Sequence, residues 1–166
     1  MKKSVKSIVV LVSICAVVSV LLALTNAVTA PIITQNEEKS ANAALLEVLP
    51  DGGSFEKADI TAYTLPATVT DVYLSENGGH VVKLNTTGYS SGMVLMCGIN
   101  PDGTVSGTKL IASQETPSIG GAAAETYAAA VIGVDVSTAE ALDTIAGATK
   151  TTAAYKNAVR DALNTV

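Results

Sequence analysis

The run "DTIAGATKTT", Asp143 to Thr152, places one acid, a Gly-Ala pair and a cluster of threonines at the start of a helical segment. Gly147 and Ala148 are small, so backbone there can approach a ligand closely. Thr149 to Thr152 stand where a helix begins. Free N–H groups and the positive end of the helix dipole favour an anion at that point, such as a phosphate. A threonine hydroxyl is a weak nucleophile, and no general base adjoins these residues. The chemistry that fits is the holding of an anionic group, or attachment to one. Thr151 or Thr152 is suited to cap the helix or to contact the anion.

Other chemistries are poorly supplied. The chain has two cysteines, Cys15 and Cys97, and one histidine, His80. These cannot build a four-Cys iron–sulfur site, and there is no C-x-x-C-H haem attachment run. No carboxylates cluster with His80 for zinc, so no metal site is expected. His80 follows Gly78-Gly79 and is expected in an exposed turn. With no G-x-S-x-G elbow and no second base, a Ser-His-Asp triad is not supported, and no catalytic residue is assigned. A G-x-G-x-x-G fingerprint for NAD is absent as well.

The elements that position the threonine run follow from patterning. "IVVLVSICAVVSVLLALTNAV", Ile8 to Val28, carries no charge. At about 1.5 Å per residue it spans roughly 31 Å, close to the thickness of a bilayer core. Lys2, Lys3 and Lys6 precede it, so the positive-inside rule keeps the N-terminus cytoplasmic and sends the remainder outside. "VTA", Val28 to Ala30, has the small-residue form of a signal-peptidase site. The apolar run, however, exceeds the usual ~7–15 residues of a signal peptide, which favours an uncleaved single-pass anchor. The mean hydropathy of +0.40 agrees with one apolar segment outside any ordinary core.

A helix is expected from about Glu37 to Val48, with Ala41, Ala44, Leu45 and Val48 on one stripe, stopped before Pro50-Asp51-Gly52. "GGSFEKADITAYTLPA" reads as irregular or weakly extended. Strands follow at Thr68–Ser75, in "HVVKLNTTGYS", in "SGMVLMCGI" and in "TVSGTKLIAS". The run Asn100 to Gly103 ("NPDG") supplies a hairpin turn. From Gly121 the period changes, and "AAAETYAAAV", "STAEALDTI" and "TTAAYKNAVRDALNTV" read as helices. Tyr155, Ala158, Val159, Ala162 and Leu163 form one apolar face of the last. Strands followed by helices give an α+β domain. The organisation expected is 1–30 as basic end and transmembrane anchor, 31–66 as stalk helix and linker, and 67–166 as the ligand-binding domain. From Glu37 on there are seven basic and fifteen acidic residues, a net of −8, which makes a nucleic-acid partner a poor fit.

The order of these features resembles the G subunit of the Rnf ion-translocating electron-transport complex. The features are the basic end, the span, the strand pair around "NPDG", then "ETPSIGG" and "DTIAGATKTT". The outer domain of that subunit belongs to the FMN-binding family shared with the C subunit of the sodium-translocating NADH:quinone reductase. The family's attachment motif, Asp-x-x-(Ser/Thr)-Gly-Ala-(Ser/Thr), falls on Asp143, Ala146, Gly147, Ala148 and Thr149, and continues to Thr151 and Thr152. Its upstream run Glu-Thr-Pro-Gly-Leu-Gly falls on Glu115, Thr116, Pro117, Ser118, Ile119 and Gly120. Ala146 stands where the family has Ser or Thr, and Ser118 where it has Gly.

The resemblance implies FMN joined through its phosphate to the Thr149 hydroxyl, by a flavin transferase that uses FAD and magnesium. It implies cofactor contacts from Gly147, Ala148, Thr151, Thr152, Glu115, Thr116 and Ile119, with Asp143 recognised during modification. With Phe55 the only phenylalanine and no tryptophan, ring packing falls to Ile119, Tyr127 or backbone. The implied function is an electron-carrying, membrane-anchored subunit of a ferredoxin:NAD⁺ oxidoreductase coupled to ion translocation, with the other subunits as partners. Two alternatives are a stand-alone tethered flavoprotein serving extracellular electron transfer, and an anchored domain without flavin.

Overall fold

The computed structural model describes residues 2–61 and 63–165, with side chains described outside 2–5 and 34–42. The side chains of Lys2, Lys3, Glu37 and Ala41, used above, lie outside the described residues. The chain divides into two compact units, Met1–Lys39 and Ser40–Val166.

The first unit is helical. The expected span and membrane-proximal helix belong to one continuous element, α1 (Lys2–Val48), with Pro31 inside it. The segment Lys6–Ile33 is long and apolar enough to cross a membrane, and extends the span read from the sequence at both ends. Its large side chains, from Ile8 to Ile33, are all exposed, as a lipid-facing helix requires.

The second unit is built on a five-stranded sheet. Its strands are β1 (Phe55–Lys57), β2 (Val69–Ser75), β3 (His80–Thr86), β4 (Met93–Ile99) and β5 (Val105–Ala112), in spatial order β1-β2-β3-β4-β5. Every neighbouring pair is antiparallel, with Val82 opposite Cys97 and Leu84 opposite Leu95 between β3 and β4. β1 lies in the stretch read as irregular or weakly extended, since three residues are too few to show a period of two. The turn at Asn100–Gly103 joins β4 to β5, and the Gly103 φ of 82° gives it the left-handed position that glycine tolerates. His80 opens β3 half-buried, opposite Ile99, and is not in the exposed turn expected of it. Cys97 is buried in β4 and Cys15 exposed on α1, both as free thiols.

Alternation along the strands sends side chains to two covered faces. Val82, Leu84, Met93, Leu95, Cys97 and Ile99 pack on one face beneath α2 (Ala122–Ala130) and α3 (Thr149–Leu163). Val81 and Met96 on the other face pack against Ala44, Leu45, Val48 and Leu49 at the end of α1. That second contact needs glycine. Gly98 and Gly107 are register partners, and a Cβ on Gly98 would collide with the Val48 carbonyl.

α3 forms because its apolar residues recur at i, i+3, i+4, i+7 and i+8 from Tyr155, all buried in the core. Arg160 in its last turn complements the dipole. Thr68 donates to Asp161 at 2.6 Å and ties the entry of β2 to α3.

The helix expected over "STAEALDTI" is not formed. Only Ala139–Ala141 make one 3₁₀ turn. Asp135 Oδ1 accepts hydrogen bonds from the N–H groups of Ser137 and Thr138 at 2.8 Å and from both their hydroxyls. These local bonds offer the backbone an alternative to a helix ladder. Leu142 is then extended (ψ 125°), and Lys156 binds the carbonyls of Glu140 and Leu142.

Candidate functional site

Three segments meet at the N-terminus of α3. They are the loop after β3 with Gly88 to Gly92, the segment Glu115 to Gly120 after β5, and Gly147 to Thr151. Together they line a cleft of about 460 Å³, walled by Tyr89, Glu115, Thr116, Ile119, Gly120, Gly147 and Ala148 and by the first turn of α3. That volume lies within the range of small-molecule sites.

Glu115 joins the three segments. It is only 7% exposed. Its Oε1 accepts from the Ser90 N–H at 2.9 Å, and its Oε2 accepts from the Thr151 hydroxyl at 2.7 Å. A buried carboxylate must be satisfied in this way. Two glycines make room for it. A Cβ on Gly88 would meet Glu115 Oε1 at 2.6 Å, and one on Gly120 would collide with Oε2. Pro117–Gly121 form a wide π-type turn that leads into α2, and Ser118 within it has no positive φ. Serine at the family's glycine position is therefore accommodated without backbone strain.

The threonines have three separate environments. Thr152 is fully buried; it donates to the Ala148 carbonyl at 3.0 Å and accepts from the Ile145 N–H at 3.1 Å. It ties the preceding loop to the helix and does not line the cleft. Thr151 lines the cleft, but its hydroxyl is committed to Glu115. Thr149 is exposed at the first position of α3, and no hydrogen bond to its hydroxyl occurs among the described residues.

The backbone around Thr149 is prepared for an anion. Gly147 has φ 85°, with open space where a Cβ would stand. Ala148 occupies the N-cap, so no side chain satisfies the first N–H groups of α3.

Of the residues named from the sequence, the structure brings Glu115, Thr116, Ile119, Gly147, Ala148, Thr149 and Thr151 to one cleft. Asp143 and Ala146 are exposed and lie outside its lining. The missing hydroxyl at Ala146 therefore removes nothing from the wall. Tyr127 is corrected: it is buried in the core, edge-on to Tyr155 with ring centroids 5.5 Å apart. Burial, and then the Asp143 charge, push its phenol pKa up. The aromatic at the cleft is Tyr89, 72% exposed, which the sequence reading missed. Lys150 was missed also; its ammonium lies 5.8 Å from the centre of the Tyr89 ring. The signal available was an isolated tyrosine between glycines in a loop beside a strand end.

Residues 88–164, which contain all three segments, match the family described as FMN-binding domain. Over these residues the chain is similar to an FMN-binding domain. It is also 33% identical over 125 residues to the G subunit of the Na(+)-translocating ferredoxin:NAD(+) oxidoreductase complex of Acetobacterium woodii. The match covers 67% of this chain and 60% of that relative.

The side chains fit the FMN that the family name specifies. The uncapped start of α3 and Lys150 suit a phosphate. Tyr89 and the half-exposed Ile119 offer apolar and aromatic surface to a ring. Thr149, exposed at the first position of α3, belongs to the same lining.

Proposed function

We propose that this chain is a membrane-anchored flavoprotein subunit of the Rnf type, with FMN esterified through its phosphate to Thr149. The observation that carries the reading is the difference among the threonines. Thr151 and Thr152 are buried with hydrogen-bonded hydroxyls, whereas Thr149 is an exposed residue of the cleft lining whose hydroxyl has no hydrogen bond among the described residues. Bound FMN supplies the electron-carrying capacity that the side chains here lack.

The chain's own residues bind and orient. The free N–H groups at the start of α3 would hold the phosphate, Gly147 and Ala148 would permit close approach, and Tyr89 and Ile119 would offer surface to the ring. Thr116 shapes the opposite wall, where its carbonyl accepts from the N–H groups of Ile119 and Gly121. No base adjoins Thr149, so activation falls to a separate flavin transferase. In that transfer the Thr149 oxygen would form a bond to the flavin-side phosphorus of FAD, the pyrophosphate P–O bond would break with AMP as the leaving group, and the hydroxyl proton would pass to a base of the transferase. Asp143 is exposed and outside the cleft lining, which supports a role in recognition by the transferase.

α1 anchors the protein by its Lys6–Ile33 segment, with the N-terminus cytoplasmic and residues 67–166 outside. The relative's name supports a role as one electron station within a ferredoxin:NAD⁺ oxidoreductase that moves ions, with the other subunits as partners. Co-expression with a flavin transferase should give a band fluorescent under ultraviolet light on a denaturing gel, and the added mass should map to the Thr149 peptide. The Thr149→Ala chain should be dark. Fluorescence that persists in Thr149→Ala would overturn the attachment, and a dark parent chain would overturn the flavin reading.

A further inference from the structure

Lys150 is at odds with its local surroundings. It stands at the second position of α3, where a cation opposes the helix dipole, and the first turn holds no acid to offset it. Residues that break a local rule concentrate at functional sites. The other described cations of the compact unit are occupied. Lys57 and Lys83 face Asp71 at 2.5 and 3.8 Å, Lys109 faces Glu47 at 2.7 Å, and Arg160 faces Glu140 at 2.7 Å. Lys156 binds two carbonyls. Lys150 meets no carboxylate among the described residues.

Two contacts keep it available. Both oxygens of the one acid in the cleft, Glu115, already accept hydrogen bonds from Ser90 and Thr151. The ammonium instead rests over Tyr89, within the range of a cation–π contact and at the cleft wall. The background is unfavourable to a phosphate: from Glu37 on, fifteen acids face seven bases. A local cation is the means by which such a domain can still attract a dianion.

We infer that Lys150 recruits the flavin phosphate to the cleft, and so makes the chain select FMN over riboflavin. The inference rests on the reading of this cleft as the FMN site. It assigns the phosphate a second recognition element beside the amide groups of α3, one that acts independently of the bond to Thr149.

The test uses the full chain in detergent, purified from cells without a flavin transferase and titrated with FMN and with riboflavin by fluorescence quenching. The parent should bind FMN about tenfold more tightly than riboflavin. Lys150→Met should lose about five- to tenfold in FMN affinity with riboflavin unchanged, and Lys150→Arg should keep most of the preference. The FMN preference should shrink as salt rises. Equal FMN affinity in parent and Lys150→Met overturns the inference, and so does a parallel loss for both ligands. A parent that binds neither ligand, yet labels with the transferase, overturns recruitment and leaves the Thr149 linkage standing. A parent that neither binds nor labels overturns the flavin reading as well.

Discussion

The Thr151 hydroxyl donates to Glu115 Oε2 at 2.7 Å, and through that bond the first turn of α3 is fastened to the segment after β5. Two residues earlier, Thr149 has no such tie. Neighbouring threonines of one short run therefore separate into holding the fold and offering a hydroxyl, and substitutions should divide the same way. Thr151→Val leaves a buried carboxylate oxygen without its donor, which should lower stability by about 1–3 kcal/mol. Thr152→Val frees the Ile145 N–H and should cost about 1–2 kcal/mol. Both variants should still take up flavin on Thr149. Thr149→Ala should stay within about 0.5 kcal/mol of the parent, as exposed positions do, and take up none. Urea midpoints and gel fluorescence, read together, check the division. A Thr149→Ala chain as unstable as Thr151→Val would contradict it.

Gly120→Ala tests whether Glu115 needs the space left by glycine. The new Cβ would crowd the Glu115 carboxylate and stand 3.0 Å from the Thr151 hydroxyl. The expected cost is about 1–3 kcal/mol from overpacking, together with weaker flavin labelling. Gly121→Ala is the control. There the nearest atom is the Thr116 carbonyl oxygen at 3.7 Å, an ordinary contact, so stability should be unchanged or raised by up to about 1 kcal/mol. Equal behaviour of the two variants in thermal melts would refute this account.

Acid should expose the role of Asp135. Hydrogen bonds from Ser137 and Thr138 hold its carboxyl at about 2, below the ordinary 3.8. A depressed folded-state pKa stabilises the fold above 3.8, and that contribution is lost as pH falls through 2. Between those values the parent should therefore lose denaturant resistance more steeply than Asp135→Ala. Parallel pH profiles would show that the turn contributes nothing through this charge.

Orientation can be read from outside. With Lys6 and the two lysines before it cytoplasmic, a tag placed after Val166 should be cut by protease added to intact cells. A protected tag would put the cleft on the other side of the membrane and remove the extracytoplasmic assignment.

Much of this fold is written in local pattern. β2 to β5 follow runs rich in β-branched and apolar residues, and their turns fall at Gly78-Gly79 and Asn100–Gly103 where turn chemistry puts them. α3 announces itself by the spacing of Tyr155 to Leu163. The segment after Asp135 was misread because helix-forming residues such as Ala139, Glu140 and Leu142 outweighed one carboxylate whose bonds to Ser137 and Thr138 redirect the backbone. Tyr127 was expected at the ring and Tyr89 was overlooked for a related reason. Which tyrosine is buried depends on where α2 lies over the sheet, and no local period records that. Most of the cleft residues were legible because they sit in two short motifs. Lys150 and Ser90 were not, since a cation or a backbone amide becomes part of a site only when distant loops close around it.

The closure at Glu115 also bears on the order of folding. The sheet neighbours are all consecutive in sequence, so strand pairing proceeds over short loops. The Glu115 contacts bridge 25 residues to Ser90 and 36 to Thr151, and they require sheet and helix to be in place together. Thr149 is thus framed by its cleft only after the chain has finished assembling. A transferase that reads this frame would modify completed molecules and pass over misfolded ones, so the proposed flavin bond would report a finished fold.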